Sequence, residues 1–178
     1  MVYSIQINDV RRVDMFECRP VQPEDYPVIS TFPRDEEELF YMFPKASYPL
    51  TPDQIETNSN NRLHPTVVVS DDRKVAGYAN LYGHEDGDRC WLGNVIISPE
   101  LRGTGTGEAL IQHMVSFARD ELKVKFLNLC CHNSNTRALF FYTRLGFKPY
   151  EIVKLEGRQG QAIAGVYMRM ELSTNELA

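Results

Sequence analysis

Between residues 90 and 131 an apolar run stops at a proline, a loop carries glycine at every second position, and an apolar helical stripe leads into a second apolar run. Cys90-Trp91-Leu92-Gly93-Asn94-Val95-Ile96-Ile97 reads as a strand. Ser98-Pro99 ends it, because proline has no N–H for a sheet ladder. Leu110, Ile111, Met114, Val115, Ala118 and Leu122 recur at three- and four-residue steps, the pattern of a helix with one apolar face. Residues 124–131 then form another short apolar strand. A helix of this length between two strands predicts a right-handed crossover and a parallel pair. Ligands bind outside the carboxyl ends of such strands.

The connecting loop is Arg102-Gly103-Thr104-Gly105-Thr106-Gly107. Alternate glycines leave backbone N–H groups uncovered, and the helix N-terminus behind them adds partial positive charge. This predicts an anion site, most simply for a phosphate. A P-loop requires Gly-Lys-Ser/Thr at the helix start, but Glu108 and Ala109 follow Gly107. A dinucleotide fingerprint requires a glycine where Glu108 or Leu110 stands. What remains is Arg-x-x-Gly-x-Gly after a strand ending in Ser-Pro.

A second motif follows the strand at 124–131. Asn133, Ser134 or Asn135 caps a helix in which Ala138, Phe141 and Leu145 share a face, and Gly146 sits where a left-handed residue ends it. The two motifs, Arg-x-x-Gly-x-Gly and Asn-x-x-Ala-x-x-x-Tyr-x-x-x-Gly-Phe, occur in the order found in the GNAT superfamily of acetyl-coenzyme A-dependent N-acetyltransferases, which this chain resembles. The resemblance spans about residues 14–172, with specific motifs in the second half only.

It implies an α/β (α+β) fold. Its sheet is mixed and mostly antiparallel, of about six to seven strands, with one central parallel pair splayed apart and helices on both faces. It also implies acetyl-coenzyme A as co-substrate. Arg102 and the N–H groups of Gly103, Thr104, Gly105, Thr106 and Gly107 would hold its pyrophosphate. The main chain of Val95, Ile96 and Ile97 would pair with pantetheine and supply the oxyanion donor, and Asn135 would contact the pantetheine. Tyr142 would face the thioester sulfur. A neutral phenol, with a pKa near 10, donates readily to a departing thiolate with a pKa near 8.5.

The amine base stays open. Many family members carry a glutamate on the strand before the glycine loop, and this chain has none there. Asn94 is placed in the site to orient a water, while Glu38, His84, Glu85 and Asp86 are the other candidates. The segment 32–50, with Phe32, Phe40, Tyr41, Phe43 and Tyr48, walls the acceptor pocket by the same resemblance. Aromatic walls attract cationic amines by about 0.5–2 kcal/mol.

At 178 residues the chain fits one N-acetyltransferase domain, and its 43% hydrophobic and 24% charged content is ordinary for a globular protein. A net charge of −5 and a pI near 5.4 argue against general nucleic-acid affinity. No apolar run approaches the roughly 20 residues of a membrane span, and residues 1–14 lack a signal-peptide core. Cys18, Cys90, Cys130 and Cys131 form no Cys-x-x-Cys pair, which fits reduced thiols and a cytoplasmic location. His132 beside Cys130 and Cys131 does not make a metal site, because adjacent strand residues point to opposite faces. The expected activity is acetyl transfer to a primary amine of a small molecule or peptide, with room for a homodimer. A non-catalytic acyl-coenzyme A sensor of the same fold is the alternative.

Overall fold

A computed structural model describes residues 16–172. Residues 14–19 read as a strand in the sequence; the part of it before residue 16, and the leader reading of residues 1–14, lie outside the described residues. The strands are β1 (Glu17–Pro20), β2 (Leu63–Val69), β3 (Val75–Glu85), β4 (Arg89–Ile97), β5 (Phe126–His132), β6 (Lys148–Glu156) and β7 (Ala162–Glu171). The helices are α1 (Tyr26–Ile29), α2 (Glu36–Met42), α3 (Pro52–Ser59), α4 (Thr106–Asp120) and α5 (Thr136–Arg144). They build one seven-stranded sheet in the order β1-β2-β3-β4-β5-β7-β6. Only β4 and β5 run parallel; the other neighbours are antiparallel. Mixed α/β with one parallel pair is the expected fold.

Both sheet faces are covered, and the β-branched run of β2 shows why. Alternate strand residues point to opposite faces. Val67 and Val69 pack with Tyr26, Ile29, Leu39 and Ile55 of α1–α3, while Val68 packs with Leu110, Ile111 and Met114 of α4. A strand buried on both faces needs a continuous apolar run, which 67–69 provide. Burying one such aliphatic side chain stabilises the fold by about 1.5–3 kcal/mol.

The parallel pair is short. Register between β4 and β5 covers Arg89↔Phe126, Cys90↔Leu127 and Trp91↔Asn128 and then stops. β4 continues to Ile97 and β5 to His132, so the two strands run on unpaired with each other. A bulge coincides with the parting. Tyr78 and Asn80 of β3 pair with Ile96 and Gly93, which sets two residues of β4, Asn94 and Val95, against one of β3. Asn94 takes the left-handed conformation there, φ 52°, which asparagine tolerates better than most residues.

Two local patterns fold differently from what their residues suggest: Pro23-Glu24-Asp25 is start chemistry for a helix to Thr31, and Thr51-Pro52-Asp53-Gln54 has the pattern of a capping box. The helix expected at 24–31 is a 3-10 turn, Pro23–Asp25, followed by the single turn of α1, with Asp25 held by Arg19 at 2.7 Å. The capping box expected at α3 forms only by half. Thr51 Oγ1 accepts from the Gln54 amide at 3.4 Å, but the Gln54 side chain turns back to the loop and exchanges hydrogen bonds with Ser47. All four cysteines are free thiols; Cys90 and Cys131 are buried, and Cys18 and Cys130 half-buried.

Candidate active site

The strand parting opens a cavity of about 850 Å³. Its walls are α2, the end of β4, the glycine loop, the end of β5, and α5. α2 is held across the strand ends by the Tyr41 hydroxyl, which donates to Glu37 (2.9 Å) and bonds Ser134 after β5 (3.0 Å).

The glycine loop has the geometry of an anion site. Gly103 and Gly105 have φ of 80° and 102°, the region that glycine enters without a Cβ clash. Gly105 is the N-cap of α4 and contributes no side-chain cap. The first-turn amides of Thr106, Gly107 and Glu108 therefore lack helical acceptors. The amides of Gly103 and Gly105 also have no acceptor among the described residues. Thr104 and Thr106 bond each other through their hydroxyls at 2.9 Å, and Thr104 also donates to the Leu101 carbonyl, so these side chains rigidify the loop. A Cβ at Gly107 would lie 3.1 Å from Phe141 Cζ of α5. That glycine is needed for helix packing, whereas the space beside Gly103 is open.

The charged groups sort differently from expectation. Arg102 spends its guanidinium on protein: Nη1 and Nη2 donate to Glu38 (2.7 and 3.1 Å), Nε to the Ile97 carbonyl (3.1 Å) and Nη2 to the Phe32 carbonyl (3.3 Å). In this arrangement Arg102 ties the loop to α2. Glu38 also takes two hydrogen bonds from the Arg34 side chain, and its carboxylate is only 18% exposed. Burial opposes its charge, but hydrogen bonds from Arg102 and Arg34 outweigh that and hold its pKa down at about 2. So deep an acid is no proton acceptor near neutrality, and it is not a solvated helix face either. Arg137, at the start of α5, lines the same cavity with no ion-pair partner among the described residues. Sequence spacing did not single it out.

Asn94 is committed to structure. Its Oδ1 accepts from Asn80 Nδ2 and its Nδ2 donates to the Met42 carbonyl, both at 2.9 Å. The second bond satisfies a carbonyl at the C-terminal turn of α2 that the helix leaves open. His84, Glu85 and Asp86 sit in the β3–β4 hairpin and do not reach the cavity wall; Glu85 pairs with Arg89. Val95, Ile96 and Ile97 do line it, on an edge of β4 that no strand of the described residues covers.

Asn135 is the α5 cap, accepting from the Ala138 amide at 3.2 Å, and it also borders the cavity. About two turns later Tyr142 reaches the cavity wall. Its ring is buried between Phe141 and Phe147, edge to face with each. No residue described here accepts from or donates to its hydroxyl. Burial pushes its pKa up, so it stays a protonated phenol throughout the physiological range.

His132, excluded above as a metal ligand, has a place in this cleft. Its ring lines the cavity, stacked on Phe40 with centroids 4.6 Å apart, and Nδ1 is buried without a hydrogen-bond partner. A smaller cavity of about 200 Å³ opens between α2 and the β6–β7 turn, sharing Glu37, Tyr41 and Ser134 with the main one.

An open strand edge, loop amides without protein acceptors and a buried phenol thus meet in one cleft of a mixed sheet. The sequence pattern of the acetyltransferase (GNAT) family matches residues 24–147, and the chain belongs to that family. Solved structures of the same fold include spermidine N-acetyltransferase from Vibrio cholerae in complex with CoA and spermine. The two share 20% identity over 90% of this chain and 98% of that one, with a TM-score of 0.75. A GNAT-family acetyltransferase from Bacillus anthracis shares 12% identity over 88% of this chain and 95% of that one, with a TM-score of 0.74. At such identities these likenesses establish the fold alone. Among curated proteins no sequence matches this chain. No helix of the described residues is long and apolar enough to cross a membrane.

Proposed function

We propose that this chain is a single-domain N-acetyltransferase that moves acetyl from acetyl-coenzyme A directly to a primary amine. The carrying observation is one continuous cleft. Gly103, Gly107 and Glu108, whose amides have no protein acceptor, lie at one end, the uncovered edge of β4 runs along it, and Tyr142 lies in its wall. These groups suit a long carrier with a diphosphate at one end and a thioester at the other. Hydrogen bonds to a charged phosphate contribute about 1.5–3 kcal/mol each, before the cost of ordering the ligand.

The loop amides bind the diphosphate, helped by the N-terminal end of the α4 dipole and by Arg137. Amides on the open edge of β4 orient the thioester and stabilise charge on its oxygen. Tyr142 keeps its proton because it is buried, and gives it to the leaving sulfur. The acceptor approaches between α2 and the β6–β7 turn, where the Glu37 carboxylate and the Tyr41 ring favour a cation. A fold relative that binds spermine supports an amine of that kind.

Calorimetry with acetyl-coenzyme A, followed by thiol release with an amine panel, tests this reading. Tyr142→Phe should bind acetyl-coenzyme A within about threefold of the parent and lose roughly 10²–10⁴ in turnover. Undiminished turnover with every acceptor removes the donor role. Tight carrier binding by the parent without thiol release selects a sensor over an enzyme.

A further inference from the structure

The reaction proposed above needs a group to take a proton from the acceptor, since an alkylammonium with a pKa near 10.4 is rarely neutral at pH 7. None of the groups considered from the sequence serves. Glu38 is locked between two arginines, the Asn94 amide is committed on both sides, and His84, Glu85 and Asp86 lie outside the cavity. One buried polar side chain of the cleft wall has a ring nitrogen without a partner among the described residues. His132 ends β5 after that strand has parted from β4, and its ring is 8% exposed. Phe40 stacks on one side and Tyr41 is tilted against it at 5.8 Å. Nδ1 is sealed without a partner, and only Nδ1 of the two ring nitrogens is sealed. An unpaired buried polar atom costs about 1–3 kcal/mol, so a fold that retains one in the wall of a ligand cavity calls for an explanation.

We infer that His132 is the catalytic base, its unsealed Nε2 accepting the proton of the acceptor amine directly or across one water in the cleft between α2 and the end of β5 while the sealed Nδ1 keeps the ring's own proton. This rests on the acetyl-transfer reading. An acceptor R–NH3+ passes one proton to the imidazole, and the freed nitrogen bonds the acetyl carbon. The carbon–sulfur bond breaks with its electron pair on sulfur, Tyr142 protonates that sulfur, and the second proton of the nitrogen returns to Tyr142. The imidazolium then releases its proton to water, leaving an acetamide, a free thiol and one proton.

The surroundings suit a base that is unprotonated at rest. Burial lowers the His132 pKa from its ordinary value, so the ring is neutral at pH 7. Facing groups on α2 are the Tyr41 phenol, raised chiefly by burial, and the Glu37 carboxylate that accepts from it. On β5 the Cys131 thiol is pushed up to about 12. Across the ladder, Gly165 of β7 presents no side chain. The phenol and thiol thus stay neutral where His132 titrates.

His132→Gln and His132→Ala, compared with the parent, test the assignment with spermidine, phenethylamine and a tripeptide bearing a free N-terminus. For the amine the parent uses fastest, both variants should lose roughly 10²–10⁴ in kcat. Acetyl-coenzyme A affinity should stay within about threefold, and added imidazole should restore part of the His132→Ala rate. The acid limb of the kcat–pH profile should vanish in His132→Gln. A variant within about threefold of an active parent, with the acid limb intact, overturns the role of His132 and leaves the acetyltransferase reading standing. A parent that binds acetyl-coenzyme A but acetylates none of the three amines overturns both.

Discussion

Glu38→Gln isolates the ionic tie between the glycine loop and α2, because it removes the charge and keeps the shape. Glu38 and Arg102 are 18% and 17% exposed at the side chain, and Arg34 adds a second cation. Partly buried pairs of this kind are worth more than surface pairs, whose contribution is about 0–1 kcal/mol. The lowered pKa of Glu38 gives a magnitude. A carboxylate whose pKa falls from 4.5 to about 2 on folding contributes about 3.4 kcal/mol, at about 1.36 kcal/mol per pH unit. Water in the adjoining cavity screens the pair, which leaves about 2–3 kcal/mol. The folded pKa lies below the unfolded one, so this stability is present in full above pH 4.5 and is lost as pH falls toward 2.

The measurement is thermal or urea unfolding of parent and Glu38→Gln from pH 7 to pH 3. At pH 7 the variant should melt about 5–10 °C below the parent, since about 1 kcal/mol shifts a domain of this size by about 2–4 °C. Toward pH 3 the difference should shrink to less than half, as the parent loses what the variant never had. Equal stability at pH 7 would refute the reasoning. So would a difference that stays constant down to pH 3, because a neutral packing defect would behave that way.

Two further outcomes follow from the same geometry. Gly107→Val should lower stability by about 1–3 kcal/mol and weaken acetyl-coenzyme A binding at least about tenfold, because the new Cβ meets Phe141 at 3.1 Å and shifts the first turn of α4; calorimetry that finds parental affinity contradicts this. The His64 and His113 rings face each other with Nε2 atoms 3.0 Å apart, and burial, then the neighbouring imidazole, lowers the His64 pKa to about 4. Its folded pKa lies below the unfolded 6.5, so the pair's stability is whole above pH 6.5 and is lost between there and pH 4. Because both rings are half-exposed, the loss should be about 1–2 kcal/mol, read by urea midpoints across that range. An NMR midpoint for His64 at or above 6.5 would contradict it.

How much of this was legible in the sequence depends on the range of each interaction. The strand, loop and helix at 90–122 were readable because proline, left-handed glycine and helical spacing act within a few residues. Gly105 and Gly146 have φ of 102° and 101°, as an N-cap loop and a helix end require, and Asn135 caps α5 as read. The capping box at Thr51 misled because the same glutamine satisfies a loop seven residues earlier. Local chemistry offered two partners, and tertiary packing chose.

The side chains of the site were harder to read for the same reason. Arg102 and Glu38 are 64 residues apart, and no local pattern reveals that they bond. Once paired, each is withdrawn from the role its type suggests: the arginine from phosphate and the glutamate from proton abstraction. Asn94 is withdrawn likewise by Asn80 and Met42. His132 shows the converse. Beside two cysteines it looks like half of a metal site, yet the alternation of β5 sends its ring to the cavity, where Phe40 from a helix 92 residues earlier stacks on it. Backbone devices such as the glycine loop and the helix caps are written locally and survive the reading of a single sequence. Proton-moving side chains are selected by which partners the fold leaves them, so the residue left without one is the better guide to chemistry here.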